Sequence, residues 1–170
     1  GYPCAPSIGD LPFVPDAVLV SVNRERVESV IEDAISAGVG GAAVLAIGFA
    51  DAGEVGRQRQ ERMVEAAREA GFAIVGPNCQ GLINFTVPSA LYMGPVSAYE
   101  PGSVALMSQS GSVTTALTNN NRGVRWSHVV SAGNEAIVDS ADLLGYYLDQ
   151  PEVKVVAAFL ETIRDPARFF

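Results

Sequence analysis

Short runs of apolar residues alternate, in the first half of the chain, with segments whose apolar residues recur every three or four positions. The runs at residues 16–22, 42–47 and 72–75 have the length of buried strands. The segments between them predict two helices, the first after an N-cap at Asn23 and the second ending at Gly71. Such alternation predicts a parallel sheet covered by helices on both faces.

A second unit of the same kind is predicted from residue 103. Residues 104–107 have the character of a buried strand, residues 108–112 are small or polar, and a helix follows. That helix is indicated by apolar residues at helical spacing, namely Val113, Ala116 and Leu117. A strand that turns through Ser and Gly into a helix leaves free N–H groups at the positive end of the helix dipole. The turn is therefore a candidate anion site, with an ordinary N-cap as the alternative.

The rest of the second unit continues the pattern. Strands are predicted at residues 127–131 and 153–160, with a loop at 133–135 and a helix at 140–148 between them. Asp165 is the predicted N-cap of a last helix.

The segment between the two units, residues 82–102, has no periodicity and contains three prolines. It predicts a linker or crossover. The expected organisation is a first domain at residues 1–85, a linker at 86–102 and a second domain at 103–170.

Composition restricts the possible functions. Of the 170 residues, 48% are hydrophobic and 18% are charged, so a substantial core is expected. The net charge of −8 argues against nucleic acids and anionic membranes as partners. No apolar run approaches the roughly 20 residues of a membrane span. Cys4 and Cys79 are too few for a disulfide framework, which favours a cytoplasmic location.

Ligands of parallel sheets bind at the carboxyl ends of the strands. Three segments qualify, at residues 21–23, 46–49 and 76–79. The third, with Pro77 and two flanking glycines, predicts a rigid turn, and an ordinary turn is an equally good interpretation. Cys79 is either a nucleophile or a buried structural thiol. The latter is favoured because no cationic partner is near in sequence.

Two other titratable residues and one glycine cluster need interpretation. Glu161 ends an apolar strand and is either solvated or placed to orient a catalytic group. The lone histidine, His128, falls within a predicted strand with no acid beside it, so a structural or surface position is expected, and a His-rich metal site or catalytic triad is disfavoured. Glycines at 38, 40 and 41 follow a helix without the G-x-G-x-x-G spacing, which indicates helix termination.

Four motifs in order carry a family resemblance: GPNCQGLIN, SVALMSQSGSVTTAL, SAGNEAIVDSADLL and FLETIRD. Together they resemble the NDP-forming acyl-CoA synthetases, the superfamily of the succinyl-CoA synthetase alpha subunit. The upstream pattern PSIGDLP, DAVLVSV, GFADAGEVG and GFAIVGPNC resembles that family's CoA-binding domain. The resemblance covers essentially the whole chain, and SQSG and GNEA are closer to the ADP-forming acyl-CoA synthetases.

The resemblance implies an α/β fold, with part of a Rossmann-like CoA-binding domain followed by a flavodoxin-like parallel-sheet ligase domain. Enzymes of this family interconvert acyl-CoA, ADP and phosphate with a carboxylic acid, CoA and ATP, through an acyl phosphate and a phosphohistidine. The implied ligands are coenzyme A and a small carboxylic acid. ADP or ATP with Mg²⁺ would bind an ATP-grasp domain or beta-type subunit, in an oligomer.

The resemblance also implies roles for individual residues. Glu161 would be the catalytic carboxylate that orients the phosphohistidine ring, and Thr115 would face the substrate. The phosphate-binding residues would be Ser110, Gly111 and Ser112. The CoA-binding residues would be Ser21, Val22, Asn23, Leu45, Ala46, Ile47, Pro77, Asn78 and Cys79. No metal site is expected in this segment.

Two features of the family pattern are expected to lie outside this chain. The family's phosphohistidine would lie after Phe170, and its first strand and phosphate-binding turn would lie before Gly1. The chain is therefore expected to be an internal segment that is inactive alone. Two other interpretations remain open, a non-catalytic CoA-sensing module and a nucleotide-binding Rossmann protein.

Overall fold

The computed structural model describes residues 4–96, 100–119 and 122–170. The first unit contains a three-stranded parallel sheet in the order β1-β2-β3, which confirms the predicted alternation. Its elements are a 3-10 helix at Ile8–Asp10, β1 at Ala17–Val20, α1 at Arg24–Ser36, β2 at Gly41–Val44, a 3-10 helix at Ala50–Ala52, α2 at Gly53–Glu69 and β3 at Ala73–Val75.

The second unit contains a five-stranded mixed sheet in the order β5-β4-β7-β6-β8. Strands β7, β6 and β8 are parallel, whereas β4 is antiparallel to both β5 and β7. The elements are β4 at Gly81–Asn84, β5 at Ser89–Tyr92, β6 at Val104–Ser108, α3 at Gly111–Thr118, β7 at Trp126–Ser131, α4 at Ser140–Leu148, β8 at Val155–Phe159 and α5 at Pro166–Phe169.

The hairpin β4–β5 differs from the irregular segment that the sequence predicted. Strand β5 lies inside the predicted linker, whose residues 97–99 are outside the described residues. Strand β4 lies before that linker but pairs with β7 of the second sheet. Strands of only four residues carry too few apolar positions to show a period of two. The second sheet is therefore mixed rather than purely parallel, and the domain limits stay a prediction.

The helices of the first unit bury the faces that their periodicity predicted. Val27, Ile31 and Ala34 of α1 and Met63 and Ala67 of α2 all lie in the core around β1–β3.

Helix α3 exists as predicted, but the side chain that it buries is polar. Thr114 is fully buried, whereas Ala116 and Leu117 are exposed. The Thr114 hydroxyl donates to the Ser110 carbonyl at 2.9 Å, so its burial leaves no unpaired donor.

His128 lies in the interior of the protein, so of the two positions expected from the sequence, structural or surface-facing, only the structural one agrees with the structure. Its ring is 4% exposed and packs between Tyr146 and Tyr147, with centroids 5.6 Å away. Burial lowers the pKa of His128, and Glu152 opposes that shift. The neutral imidazole is therefore favoured, as expected of a structural residue.

Within the described ranges, no helix combines the length and the apolar character needed to cross a membrane.

The start of α4 gives a first testable prediction. The Asp139 carboxylate accepts from the N–H groups of Ala141 and Asp142 at 2.9 and 3.0 Å, and Asp142 completes a capping box. We expect Asp139→Ala to lower the free energy of unfolding by about 1–2 kcal/mol, because two helical N–H groups lose their acceptor. Urea denaturation measures this change.

Asn23→Ala is the matched control. Asn23 is the N-cap of α1, but its side chain makes no capping hydrogen bond. Its replacement should cost clearly less than that of Asp139, and equal losses would contradict the role of the capping geometry.

Candidate functional site

A cleft of about 410 Å³ lies where β1 and β2 end, and we call it the β1–β2 cleft. It brings together six predicted CoA-binding residues from two loops. Its lining residues are Ser21, Val22, Asn23, Arg24, Glu25, Leu45, Ala46, Ile47 and Met93. Ile47 and Met93 are 65% and 60% exposed, so they form an apolar rim open to a ligand.

Three residues that line this cleft were not predicted from the sequence, namely Arg24, Glu25 and Met93. Arg24 and Glu25 directly follow the predicted N-cap Asn23, so their position at a strand end was a usable signal. Met93 comes from the segment predicted to be irregular, and only the pairing of β5 with β4 places it here.

The loop after β2 is held rigidly beside this cleft. The Asp51 carboxylate accepts from the N–H groups of Gly48 and Phe49 at 2.9 and 3.0 Å. The Arg59 guanidinium donates to the Gly48 carbonyl at 2.7 Å. Burial alone would raise the pKa of Asp51, but these N–H groups and Asn134 outweigh it and hold the pKa below its usual value. Asp51 is therefore an ionised anchor of the loop.

The turn after β3 adjoins the β1–β2 cleft. The Asn78 N–H donates to the Ala46 carbonyl at 2.9 Å. Asn78 has a φ of +57° and is exposed, whereas the Pro77 side chain is fully buried. Of the three predicted CoA-binding residues in this turn, only Asn78 offers its side chain to a ligand.

Cys79 faces the core. Its thiol is buried, and its single hydrogen has two carbonyl acceptors within reach, Val44 at 3.3 Å and Val75 at 3.6 Å. Burial raises the pKa of the Cys79 thiol to about 11. A protonated, enclosed thiol is a poor nucleophile, which agrees with the structural interpretation.

A second cleft, of about 550 Å³, lies between the two units, and we call it the polar cleft. It brings the three predicted phosphate-binding residues together with Glu161 and Asn78. Its lining residues are Ala50, Asp51, Arg57, Asn78, Gln109, Ser110, Gly111, Ser112, Gly133, Asn134, Glu161, Thr162 and Arg164. The first residues of α3 therefore contribute to the wall of a cleft that also holds two arginines.

Ser110 combines the two roles that the sequence left open. Its hydroxyl accepts from the Val113 N–H at 3.4 Å, as an N-cap does. It also lies 3.0 Å from the Ser112 hydroxyl and lines the polar cleft. Hydroxyl groups beside a helix N-terminus suit an anion because both present hydrogens to it.

The Glu161 loop is attached to the end of β6 through Gln109. The Gln109 side-chain oxygen accepts from the N–H groups of Glu161 and Thr162 at 2.8 and 3.0 Å. The Gln109 amide nitrogen donates to the Thr162 carbonyl at 2.7 Å. Gln109 was not singled out from the sequence, where its neighbours Ser110–Ser112 carried the signal.

Asn134 connects the loops of both units. Its side-chain nitrogen donates to the Asp51 carboxylate at 3.0 Å and to the Gln60 side chain at 3.1 Å. Its backbone N–H donates to the Pro77 carbonyl at 2.9 Å, and its carbonyl accepts from Arg164 at 2.9 Å. Asn134 is therefore one of the residues that hold the two sides of the polar cleft together, along with the backbone hydrogen bond from the Ala136 N–H to the Gly76 carbonyl at 2.9 Å.

Thr115, predicted to face the substrate, is turned toward Gln80. Its hydroxyl lies 3.0 Å from the Gln80 side-chain nitrogen, and the Gln80 oxygen accepts from the Tyr92 hydroxyl at 2.8 Å. Thr115 is exposed but does not line the polar cleft as described.

In the part of the chain that the structure describes, no three His, Cys, Asp or Glu side chains are grouped as a metal site would require. The chemistry on offer is anion binding. Serine hydroxyls, a helix N-terminus and Arg57 and Arg164 surround this cleft, to which Asp51 and Glu161 contribute two carboxylates.

Two family models match the chain, one to each unit. Residues 1–84 match the CoA binding domain, and residues 101–170 match the succinyl-CoA ligase like flavodoxin domain.

Curated relatives are ADP-forming acyl-CoA ligases. The chain is 34% identical over 171 residues to ADP-forming acetate–CoA ligase I of Archaeoglobus fulgidus, a match that covers 99% of the chain and 25% of the relative. It is 31% identical over 165 residues to the alpha subunit of ADP-forming acetate–CoA ligase II of Pyrococcus furiosus, covering 96% of the chain and 36% of that subunit.

A solved structure agrees with this assignment. The dinucleotide forming acetyl-coenzyme A synthetase 1 of Ca. Korarchaeum cryptofilum, in complex with phosphate and ADP, matches with a TM-score of 0.91 and 33% identity. The match covers 99% of this chain and 36% of that one. With its CoA-binding domain followed by a flavodoxin-like ligase domain, the chain belongs to the NDP-forming acyl-CoA synthetase superfamily, that of the succinyl-CoA synthetase alpha subunit.

Proposed function

We propose that this chain supplies the CoA-binding and phosphoryl-binding surfaces of an ADP-forming acyl-CoA synthetase. The reaction converts acyl-CoA, ADP and phosphate into a carboxylic acid, CoA and ATP, or runs in reverse, through an acyl phosphate and a phosphohistidine. The observation that carries the proposal is the polar cleft, in which Ser110, Gly111 and Ser112 meet Glu161. ADP or ATP with Mg²⁺ is assigned to an ATP-grasp domain or beta-type subunit outside this chain.

Coenzyme A is assigned to the β1–β2 cleft. Two loops that are far apart in sequence converge there, and Ile47 and Met93 offer apolar surface to a ligand. CoA supplies the thiol that carries the acyl group. The bond from Asn78 to Ala46 joins this cleft to the polar cleft, so a ligand passing over Asn78 reaches both.

The polar cleft is assigned to the phosphoryl group. Ser110–Ser112 would hold its oxygens at the N-terminus of α3, and Glu161 would orient the imidazole that carries it. His128 is buried between two tyrosines, so the phosphorylated histidine has to come from elsewhere. Thr115 would contact the acyl substrate from the edge of this region.

Binding of CoA at the β1–β2 cleft is tested with Ile47→Asp. The change removes apolar contact and adds a negative charge next to a polyanionic ligand. We expect the affinity for CoA to fall about tenfold, which corresponds to about 1.4 kcal/mol. Titration calorimetry of the full-length protein with CoA measures the change.

Val87→Asp is the matched control, because Val87 is 67% exposed and does not line the described cleft. It should leave CoA binding unchanged. Binding of NAD without binding of CoA would refute the proposal in favour of a nucleotide-binding Rossmann protein.

Catalysis is tested in the full-length protein by following ATP formation from ADP, phosphate and a panel of acyl-CoA substrates. Formation of ATP with one of them supports the synthetase. A protein that binds CoA but forms no ATP with any of them would be a CoA-sensing module instead.

A further inference from the structure

The side chain of Gln109 continues the pairing of β6 with β8 beyond the ends of both strands. The backbone pairing reaches as far as the hydrogen bond from the Gln109 N–H to the Phe159 carbonyl, at 3.0 Å. The next residue, Ser110, is the N-cap of α3, so the backbone leaves the sheet there. From this point the Gln109 side chain takes the place of a backbone neighbour for the segment that follows β8.

Three hydrogen bonds join the Gln109 amide to this segment. Its oxygen accepts from the N–H groups of Glu161 and Thr162 at 2.8 and 3.0 Å, and its nitrogen donates to the Thr162 carbonyl at 2.7 Å. A primary amide offers the same acceptor and donor as a peptide group. The side chain therefore imitates one more residue of β6.

These bonds restrict the backbone on both sides of Glu161. The Glu161 N–H belongs to the peptide unit before this residue, and the Thr162 N–H belongs to the unit after it. Peptide units are planar, so a residue has only two soft torsions, φ and ψ. Because one oxygen holds both units, it limits both torsions of Glu161 and with them the direction in which its side chain leaves the chain.

Gln109 also connects two walls of the polar cleft. It directly precedes the predicted phosphate-binding residues Ser110–Ser112, and it lines the cleft together with them and with Glu161. The position of the Glu161 carboxylate relative to the first turn of α3 is therefore set by bonds to a single side chain.

We propose that Gln109 is a positioning residue that holds the Glu161 carboxylate in register with the N-terminus of α3. The proposal rests on the proposed function in one respect, namely that Glu161 acts on the reacting group. The effect of Gln109 on the backbone at Glu161 is independent of that function.

Two variants separate positioning from a merely structural role. Gln109→Leu keeps the approximate volume but removes all three hydrogen bonds, whereas Gln109→Glu keeps two acceptor oxygens and loses only the donor. Glu161 and Thr162 are exposed, so water can replace the lost partners of their backbone groups. We therefore expect the melting temperature of Gln109→Leu to fall by less than about 3 °C.

Hydrogen exchange of the full-length protein reads the contact directly, because the Glu161 and Thr162 amides donate to the Gln109 side chain. In Gln109→Leu these two amides should exchange about tenfold faster than in the wild type, while the amides within β8 keep their rates. In Gln109→Glu both should stay within about threefold of the wild type.

Turnover tests the consequence for the cleft. The kcat of Gln109→Leu for ATP formation should fall about tenfold, with the KM for acyl-CoA unchanged, because the carboxylate loses its alignment while the β1–β2 cleft is intact. Gln109→Glu should stay within about threefold in kcat at saturating phosphate. Gln58→Leu is the matched control, since the Gln58 amide donates to Glu54 on the exposed face of α2, and it should change neither exchange at Glu161 nor kcat.

Three results would overturn the proposal. The first is unchanged exchange at Glu161 and Thr162 in Gln109→Leu. The second is faster exchange throughout β8 with a clearly lower melting temperature, which would show a structural role. The third is wild-type exchange in Gln109→Glu with a kcat as low as that of Gln109→Leu, which would separate turnover from the held backbone.

Gln109→Asn keeps the test decisive if Gln109→Leu does not fold. Its amide is one methylene shorter and does not reach the segment after β8, so the same tenfold changes are expected, and wild-type exchange and kcat would contradict the proposal. If the wild-type protein forms no ATP, the proposed function fails, while the exchange measurement still decides whether Gln109 holds the backbone at Glu161.

Discussion

Glu161→Gln is expected to lower the kcat of the full-length protein for ATP formation by about 10²–10³-fold, because a carboxylate that orients a catalytic imidazole has effects of this size. The side chain lines the polar cleft beside Ser110 and Ser112, while its backbone N–H is held by Gln109. The substitution removes the charge but retains the backbone contact and the size of the side chain. Steady-state kinetics with saturating acyl-CoA, ADP and phosphate measures the loss.

Two comparisons make this result specific. CoA affinity should stay unchanged in Glu161→Gln, because the β1–β2 cleft does not include this residue as described. Glu69→Gln makes the same chemical change at the end of α2 and should leave kcat unchanged. A Glu161→Gln protein with wild-type turnover would remove Glu161 from the proposed catalytic role.

Gly133→Ala is expected to destabilise the protein more than the other substitutions proposed here for stability. Gly133 has a φ of +58°, and an added Cβ would lie against the carbonyls of Pro77 and Asn78. We expect the conformational strain and the clash to lower the free energy of unfolding by about 3 kcal/mol. The melting temperature should fall by about 6–12 °C. Thermal unfolding followed by circular dichroism measures the shift.

Gly71→Ala is the matched control for that substitution. Gly71 has a similar φ of +65°, but an added Cβ would meet no atom within 4 Å. It should therefore show only the conformational cost, about 1 kcal/mol. If the two variants were equally destabilised, close packing of Gly133 against the turn at Pro77 would not be what limits this position.

The first unit was largely predictable from the sequence, because each of its elements has a local cause. Its strands are continuous apolar runs, of which the central strand β2 is buried along its whole length, and α1 shows its buried stripe in the spacing of Val27, Ile31 and Ala34. The β1–β2 cleft followed from the same reasoning, since the carboxyl ends of parallel strands meet at one edge of a sheet. The resemblance assigned those loops to CoA.

The hairpin β4–β5 and the partners of Glu161 were not predictable in this way. Strand β4 is stabilised by pairing with β7, which lies more than 40 residues later in the chain. The spacing of apolar residues within β4 does not indicate a contact at that distance. Gln109, Asn134 and Glu135 are polar residues in loops, where local periodicity is absent. Their roles depend on hydrogen bonds and burial between distant segments.

The sequence by itself determined the strands and helices whose apolar periodicity is local, the helix N-terminus at Ser110 and the family. The tertiary structure decided which loops meet. It buried the Cys79 thiol in the core, brought Ser110 and Glu161 together in the wall of one cleft and buried Glu135. The physical reason is that burial and hydrogen bonding between segments far apart in the chain arise only when both sheets have formed and packed together.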